Sequence, residues 1–285
     1  MSPRVTVIMA TYNWSSVLPY SIGSALRQTF ADFELLVVGD GCTDDSDAVV
    51  NAMGDPRVRW INLPVNSGHQ STPNNEGLRQ ARGELIAYLG HDDLWLPHHL
   101  GSLLAAIDQG ADLAYGLLAS IPPDGSAAIP VLFGPEHYGD WLPPTSLMHR
   151  RAVTEALGGW RDYRVIGMSP ETDLVRRARD AGFRFASVLR LTAIKLPAAQ
   201  RRDVYKTRPS HEQATWSERI QAPDFEVVQL ASWVADSRWS FRIVYRELAR
   251  RFLRETLRRA MLAVQRLTRR RRRTAIDEMR RFKGL

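Results

Sequence analysis

Short runs of β-branched and apolar residues alternate with helical patterns through the first 115 residues of the chain. The runs are five or six residues long and occupy positions 5–10, 33–38, 58–63, 85–89 and 111–115. Between the first two, apolar residues recur at helical spacing after Ser15 and Ser16, and Pro97 and Gly110 bracket a second helix. Strands joined by helices at these spacings form right-handed crossovers. We therefore predict an α/β fold with a mostly parallel sheet and a ligand site at the carboxyl ends of its strands.

The second half of the chain is less regular. Six prolines between positions 121 and 144 predict a loop or irregular hairpin over the sheet. Further strands are expected at 145–149 and 185–191, and helices at 151–157 and 171–181. This pattern ends near Pro197, so we predict a domain over residues 1–197 and an extension over 198–285.

Composition excludes several classes of protein. The chain of 285 residues is 44% hydrophobic, which is enough for a substantial core and argues against disorder. It has no run of eighteen apolar residues and no signal-peptide pattern, and its single cysteine, Cys42, excludes an internal disulfide. These features predict a cytoplasmic protein.

The basic charge is concentrated at the carboxyl end. From position 246 onward there are 15 basic and 4 acidic residues of the chain's 38 and 31, so this tail carries +11 and the remainder −4. Apolar positions between 241 and 264 repeat at helical spacing with arginines on the other face, which predicts a basic helical extension. An acidic body is not the footprint of a nucleic-acid-binding domain.

Two acidic motifs follow predicted strands. Asp40-Gly41-Cys42-Thr43-Asp44-Asp45 comes after the second strand, where a carboxylate can reach a base or ribose, or simply form a turn and helix cap. Gly90-His91-Asp92-Asp93 comes after the fourth strand. Its carboxylates suit Mg²⁺ or Mn²⁺ bridging to a diphosphate, or they cap the next helix.

These motifs and their order resemble the family 2 glycosyltransferases. The resemblance covers about residues 4–195 and rests on the following segments: Thr11-Tyr12-Asn13, Asp40 to Asp45, Asn66-Ser67-Gly68, Asn75-Glu76-Gly77, Ala81-Arg82-Gly83, Gly90 to Asp93, Gly158-Gly159-Trp160 and Glu171-Thr172-Asp173-Leu174.

The resemblance implies a GT-A fold and inverting transfer of a sugar from a nucleotide-diphosphate donor, with Mg²⁺ or Mn²⁺ as the cofactor and UDP as the commonest nucleotide. The acceptor would be a carbohydrate or a lipid-linked molecule, in polysaccharide or glycoconjugate biosynthesis. Carried over to this chain, it implies a nucleotide site of Thr11, Tyr12, Asn13, Asp40, Asn66, Gly68, Asn75, His91 and Asp92. Asp92 is the implied metal ligand.

This chain departs from the family pattern at three positions. Gly39 and Gly90 stand where the family often has the leading carboxylates of Asp-Asp-Gly and Asp-x-Asp-Asp, so His91 or Asp93 is a candidate replacement ligand. Pro170 and Glu171 stand where the family usually has Glu and Asp. Glu171 is then the candidate base that takes the acceptor's proton, with Asp173 as the second candidate. The same residues would also form an ordinary acidic first helical turn.

Other signals are weaker. His98 and His99 beside Pro97 are expected at the surface or in a helix cap rather than in a metal cluster. Arg202, Tyr205 and His211 belong to a polar segment that is either a lid over the donor phosphates or a solvated linker. The arginine run 269–273 favours contact with an anionic membrane, peripheral to its inner face, over nucleic acid, since it has no aromatic neighbours for stacking. Packing of that helix on the body or on another subunit is an equal alternative.

Two functions therefore remain. The leading hypothesis is an inverting glycosyltransferase, and the alternative is a nucleotide-sugar-binding protein with lost or reduced turnover, which Gly39, Gly90 and Pro170 motivate. A sugar nucleotidyltransferase would need a Gly-rich basic loop after the first strand. A dinucleotide-dependent oxidoreductase would need Gly-x-Gly-x-x-Gly. Neither motif is in the sequence.

Overall fold

The computed structural model of the chain describes residues 2–123, 142–239 and 274–284. Eight strands in these ranges form one sheet. Their bounds are β1 Val5–Thr11, β2 Phe33–Gly39, β3 Val58–Asn62, β4 Leu85–Tyr88, β5 Leu94–Trp95, β6 Leu113–Ser120, β7 Leu147–Arg150 and β8 Phe185–Lys195.

The order of strands across the sheet is β3-β2-β1-β4-β7-β6-β8-β5. Strands β1 to β4 are parallel to one another, and β6 is parallel to β8. Strand β7 runs antiparallel to both of its neighbours, and β5 is antiparallel to β8. The predicted mostly parallel α/β sheet is thus confirmed in its first half, and β7 and β5 introduce the antiparallel pairs.

Helices cover both faces of this sheet. Their bounds are α1 Leu18–Leu26, α2 Ser46–Ala52, α3 Ser71–Gln80, α4 His99–Asp108, α5 Arg151–Leu157, α6 Tyr163–Ile166, α7 Pro170–Asp180, α8 Val204–Thr207, α9 His211–Arg219, α10 Phe225–Trp239 and α11 Thr274–Lys283. Short 3₁₀ turns occupy Ser15–Val17, Pro144–Ser146 and Ala198–Gln200.

The core lies on the two faces of the first four strands. One face packs Val7, Leu35 and Ala87 against Ile22 of α1 and Leu103 of α4. The other face packs Ile8, Leu36 and Ile86 with Trp160 and Leu174. Central parallel strands are buried on both faces, so nearly all of their residues are apolar. These apolar runs predict the strands even though polar and apolar residues do not alternate along them.

The segment after β8 also packs against the sheet. Ile220, Phe225 and Trp233 join Leu94 and Ile194 in one apolar cluster. The Trp14 Nε1–H donates to the Pro209 carbonyl oxygen over 3.1 Å. The division at residue 197 stays a prediction.

The carboxyl-terminal region is described only at its end. The predicted helical pattern 241–264 and the arginine run 269–273 lie outside the described residues, as does most of the proline-rich segment 121–144. Helix α11 begins just after that run and contacts the Ala198–Gln200 turn and α8. Within the described ranges, no helix combines the length and the apolar character needed to cross a bilayer.

Candidate functional site

The acidic motifs meet at one edge of the sheet. Strands β2, β1 and β4 are parallel neighbours, so their carboxyl ends lie side by side. Thr11 at the end of β1, Asp40 after β2 and the Gly90–Asp93 segment after β4 therefore lie at one edge of the sheet, which we call the strand-end cleft. This is where parallel α/β sheets bind ligands.

Asp40 holds the loop that contains Asn66 and Gly68. Its buried carboxylate accepts hydrogen bonds from the backbone N–H groups of Ser67 (3.0 Å) and Gly68 (3.1 Å). Gly41 has φ +69°, and a Cβ there would collide with the backbone of Val65 and Asn66. Asp40, Asn66 and Gly68, three residues of the predicted nucleotide site, thus form one corner of the structure.

The leading carboxylate of the second-strand motif has no room in this chain. A Cβ at Gly39 would lie 2.6 Å from the Asn62 Oδ1 atom and 2.7 Å from the Trp60 ring. Trp60 and Asn62 belong to β3, the neighbour of β2. The side chains of Trp60 and Asn62 therefore fill the space that the family's aspartate would need at position 39.

Asn13 and Asp44 join the first two loops. The Asn13 side-chain oxygen accepts from the backbone N–H of Thr43 (2.7 Å) and of Asp44 (3.2 Å), and its φ of 44° is one that asparagine tolerates. Asp44 accepts from the backbone N–H of Ser15 and of Ser46, at the starts of two helical segments. The structure gives Asn13 a loop-bracing role, and Tyr12 before it is half-buried.

His91 is clamped on both ring nitrogens. Its Nδ1 lies 2.8 Å from the Thr11 Oγ1, and its Nε2 lies 3.4 Å from the Tyr205 hydroxyl. The Trp14 ring meets both His91 and Tyr205 edge-on. Burial lowers the pKa of His91, and Lys195 and Lys283 lower it further against the opposing effect of Asp92 and Asp93. A neutral His91 is therefore a fixed wall of the cleft.

Asp93 fills the space that a side chain at position 90 would take. A Cβ at Gly90 would lie 2.5 Å from the Asp93 Oδ2 atom. That carboxylate is fully buried and accepts from the Lys195 Nζ (2.9 Å), the Leu196 backbone N–H (3.1 Å) and the Thr145 hydroxyl. Both of its oxygens are thus engaged within the protein.

Asp92 is the carboxylate of this motif that points to no partner side chain. It is 7% exposed, and no side chain in the described ranges donates a hydrogen bond to its carboxylate. Burial, and secondly the neighbouring Asp93, raise the pKa of Asp92. A buried carboxylate with this environment is a natural position for a cation ligand.

The donor set fits a cation held by one carboxylate. No cluster of three or more His, Cys, Asp or Glu side chains suited to a metal occurs in residues 2–123, 142–239 and 274–284. Mg²⁺ commonly binds proteins through only one or two carboxylates, completed by water and substrate phosphates. Asp92 meets that requirement, whereas the hydrogen bonds of His91 and Asp93 leave Asp92 as the residue with an open ligand atom.

Glu171 reaches the same cleft from the first turn of α7. The Gln70 Nε2–H donates to the Glu171 Oε2 over 2.9 Å, which ties α7 to the start of α3. Lys195 and Lys283 each interact electrostatically with both Glu171 and Asp92. The structure therefore brings together the predicted base and the predicted metal ligand, which are 79 positions apart in the sequence.

Asp173 and Asn75 lie in structural contacts. The Asp173 side chain is 9% exposed and accepts from the Arg177 Nε at 2.7 Å, while the same guanidinium donates to the carbonyl oxygens of Leu157 and Gly159. The Asn75 amide exchanges two hydrogen bonds with the Trp160 backbone. Both residues brace the Gly158-Gly159-Trp160 loop.

The three predicted lid residues separate in the structure. Tyr205 of α8 lies against His91, and burial raises the pKa of its hydroxyl. The Arg202 side chain is 82% exposed and lies 3.5 Å from the Asp203 carboxylate. His211 is exposed at the start of α9. Of the three, Tyr205 is the one that reaches the cleft.

His99 corrects one of the predictions. It was expected at the surface or in a cap, but it is fully buried and stacks on Trp95 with ring centroids 4.2 Å apart. Burial lowers its pKa to about 3. The apolar Trp95 and Leu96 before it direct the start of α4 into the core, which a local pattern of Pro97 and two histidines did not indicate.

Sequence reasoning missed Lys195, Arg280 and Lys283. Lys195 lies at the end of β8, four residues past the predicted strand. A single lysine within the apolar run from Ala193 to Leu196 was the available signal, since lysine is rarely buried without a partner. Arg280 and Lys283 belong to α11, and their position follows from tertiary packing.

Comparison with known protein families gives a match to the first half of the chain. The profile of "Glycosyl transferase family 2" matches residues 6–156, more than half of the chain. This chain belongs to glycosyltransferase family 2. The matched residues contain β1 except for Val5, all of β2 to β7, and the cleft residues from Thr11 to Asp93.

Two similar proteins have names that refer to succinoglycan biosynthesis and to glucosyl transfer. The succinoglycan biosynthesis protein ExoO of Rhizobium meliloti is 38% identical over 124 residues, which is 43% of this chain and 35% of that protein. The GalNAc(5)-diNAcBac-PP-undecaprenol beta-1,3-glucosyltransferase of Campylobacter jejuni is 32% identical over 119 residues, 40% of this chain and 38% of that protein. The match spans little more than a third of the length of either relative.

Solved structures show the same fold. The 1–349 fragment of S. aureus TarS in complex with UDP-GlcNAc superposes with a TM-score of 0.61 at 18% identity, over 83% of this chain and 72% of that one. The mannosyltransferase PcManGT from Pyrobaculum calidifontis, in complex with GDP-Man and Mn²⁺, gives a TM-score of 0.53 at 18% identity, over 84% and 75%. The predicted GT-A type of α/β fold is confirmed.

Proposed function

We propose that this family 2 chain is an inverting glycosyltransferase that moves a sugar from a nucleotide-diphosphate donor to an acceptor hydroxyl. The observation that carries the proposal is the convergence of Asp92 and Glu171 on one cleft around Lys195. UDP is the proposed nucleotide, in keeping with the UDP-GlcNAc complex of TarS; GDP, present as GDP-Man with PcManGT, is its competitor.

The nucleotide would lie along the strand-end edge. Its base would sit at the corner built by Asp40, Asn66 and Gly68, and its diphosphate beside Asp92. Mg²⁺ or Mn²⁺ held by Asp92 would supply positive charge to the diphosphate. Thr11, His91 and Tyr205 form the wall between these two ends.

Glu171 is the proposed base. Gln70 holds this carboxylate in place by donating a hydrogen bond to its Oε2, and the carboxylate would accept the proton of the acceptor hydroxyl. The hydroxyl oxygen would attack the anomeric carbon as the bond to the diphosphate breaks on the opposite face, so one displacement inverts the anomeric configuration. Asp173, paired with Arg177, is positioned to stabilise α7 instead.

Replacement of Glu171 by Gln tests this assignment. We expect transfer to fall by about 10²–10⁴-fold, the usual contribution of a general base, while donor affinity measured by calorimetry stays within about twofold, since the carboxylate acts on the acceptor. The matched change Asp173→Asn should lower thermal stability and leave the rate per folded molecule close to normal. Product NMR should show an inverted anomeric centre. Normal transfer by E171Q, with transfer lost in D173N, would assign the base to Asp173.

A binding protein without turnover is the second candidate function. It is favoured because neither of the family's leading carboxylates has room in this chain. Trp60 occupies that space at Gly39, and Asp93 occupies it at Gly90. This candidate predicts that donor nucleotides stabilise the protein but that no sugar is transferred or hydrolysed, with or without Mn²⁺.

We also propose that the acceptor is a carbohydrate or lipid-linked molecule and that the chain works in the cytoplasm, at the inner face of a membrane. The undecaprenol-linked name of the Campylobacter relative and the arginine run 269–273 support this. Replacing the five arginines by Gln should abolish sedimentation of the protein with anionic vesicles. Its sedimentation with zwitterionic vesicles should not change. If the wild type and the variant sediment equally with anionic vesicles, the run serves packing or self-association instead. Analytical ultracentrifugation would measure self-association.

A further inference from the structure

Helix α11 returns the end of the chain to the strand-end cleft. The backbone N–H of Asp203, a residue with φ 52°, donates to the Phe282 carbonyl oxygen over 2.8 Å. Gly284, with φ 85°, lies so close to Lys206 that a Cβ there would be 2.9 Å from the lysine Cγ. These contacts hold α11 against α8, the helix that also carries Tyr205.

Two cations of α11 face the proposed donor site. The Arg280 guanidinium lies against Gly68, where a Cβ would be 3.0 and 3.1 Å from its two terminal nitrogens. Lys283 interacts electrostatically with Asp92, Lys195 and Glu171. Residues three apart share a helix face, so α11 places Arg280 beside the loop that Asp40 holds and Lys283 near the proposed metal ligand Asp92.

Among the described residues, no side chain or backbone group makes a hydrogen bond or an ion pair with either cation, although both are partly buried. Burial lowers the pKa of Lys283, and Lys195 and Arg280 lower it further against the opposing effect of Asp92 and Glu171. A polyanionic ligand beside Arg280 and Lys283 would be attracted by both charges.

We infer that Arg280 and Lys283 bind the diphosphate of the donor nucleotide, so that the last helix of the chain completes the donor site. This rests on the proposed function, because it assumes a nucleoside diphosphate at the strand-end edge. The protein would then hold the leaving diphosphate with its own cations as well as with a metal at Asp92, which compensates for the carboxylate that Gly90 lacks. Arg and Lys are the usual partners of phosphate oxygens.

The test is calorimetric titration of the full chain with uridine, UMP and UDP, and with guanosine, GMP and GDP as a second series. Arg280→Gln and Lys283→Gln should each lower the affinity for the nucleoside diphosphate by about tenfold or more, the contribution of one charge-assisted hydrogen bond. The affinity for the nucleoside monophosphate should fall less, and the affinity for the nucleoside should not change. Lys283→Arg should recover most of the affinity. The matched control is Arg281→Gln, which removes the same charge from an exposed position of the same helix.

The outcomes separate this inference from the proposed function. If the wild type binds neither UDP nor GDP, the donor site is wrong and this inference fails with it. If the wild type binds a diphosphate and R280Q and K283Q behave like R281Q, the inference alone is overturned. Tighter diphosphate binding by R280Q or K283Q would also overturn it, because α11 would then be an obstruction of the cleft. Melting curves of the free variants confirm that each is folded.

Discussion

Asp92 and Asp93 are adjacent carboxylates with different surroundings. Asp93 accepts hydrogen bonds from Lys195, Thr145 and the Leu196 backbone, whereas Asp92 keeps an open carboxylate beside it. The difference follows from Gly90, because the absent side chain makes room for the Asp93 carboxylate. One acidic pair is thereby divided into a carboxylate that is hydrogen-bonded within the protein and the proposed metal ligand.

Replacement of Asp92 by Ala tests this division. Mn²⁺ should raise the melting temperature of the UDP-bound wild type above that of the UDP-bound protein in EDTA, since a ligand of the folded state stabilises it. In D92A we expect that metal-dependent increment to vanish, because Asp92 is the open carboxylate of the cleft.

The control for this measurement is Asp180→Ala, which removes an exposed carboxylate from the end of α7. It should keep the full increment. An unchanged increment in D92A would place the metal on other residues.

At the scale of elements, buried hydrogen bonds hold the cleft-bearing strands to the loop that follows α5. The Trp160 Nε1–H donates to the Tyr88 hydroxyl over 3.0 Å, and that hydroxyl lies 3.1 Å from the His149 Nε2. The His149 Nδ1 in turn lies 2.8 Å from the Arg150 carbonyl oxygen. This series of hydrogen bonds joins β4 and β7 to the Gly158-Gly159-Trp160 loop, which Asn75 also contacts.

Tyr88→Phe should destabilise the protein by about 2 kcal/mol, because it leaves the buried Trp160 Nε1–H and His149 Nε2 without their partner. Urea denaturation measures the change as a lower midpoint. Tyr20→Phe is the matched control, since the Tyr20 hydroxyl makes no hydrogen bond in the part of the chain that the structure describes. An equal effect of both changes would mean that the Tyr88 hydroxyl contributes nothing specific.

At the scale of the whole molecule, burial of histidines makes stability depend on pH. Burial lowers the pKa of His149 to about 4 and that of His99 to about 3, from an ordinary value of 6.5. It also lowers the pKa of His69, His91 and His98. The raised pKa of Asp92 acts in the opposite direction.

The free energy of unfolding should therefore fall as the pH drops below 6.5. The unfolded chain takes up protons on His99 and His149 that the folded chain does not, so each residue costs about 2 kcal/mol of stability by pH 5. The loss through His149 levels off near pH 4. Thermal melts between pH 7.5 and 5 measure the slope, and His99→Phe should make it shallower while keeping the stacking on Trp95. A melting temperature that is flat over this range would contradict the burial of these rings.

The alternation of strands and helices and the positions of the acidic motifs were readable from the sequence, because parallel strands are apolar throughout and place their carboxyl ends on one edge. Asp92 could therefore be predicted from its position after β4. Glu171 was predicted as the base from its motif, and the structure gives both carboxylates an electrostatic interaction with Lys195. The roles of both residues stay predictions.

The sequence by itself determined the α/β class, the four-strand parallel half of the sheet and the family, since these depend on local periodicity and motif order. Only the tertiary structure decided which of the neighbouring carboxylates stays open, that His99 is buried, that Lys195 and Lys283 interact with Asp92, and that Arg280 lies against Gly68. The physical reason is that hydrogen-bond partners, desolvation and charge–charge energies depend on distances between atoms that are far apart in the chain, and no local pattern encodes those distances.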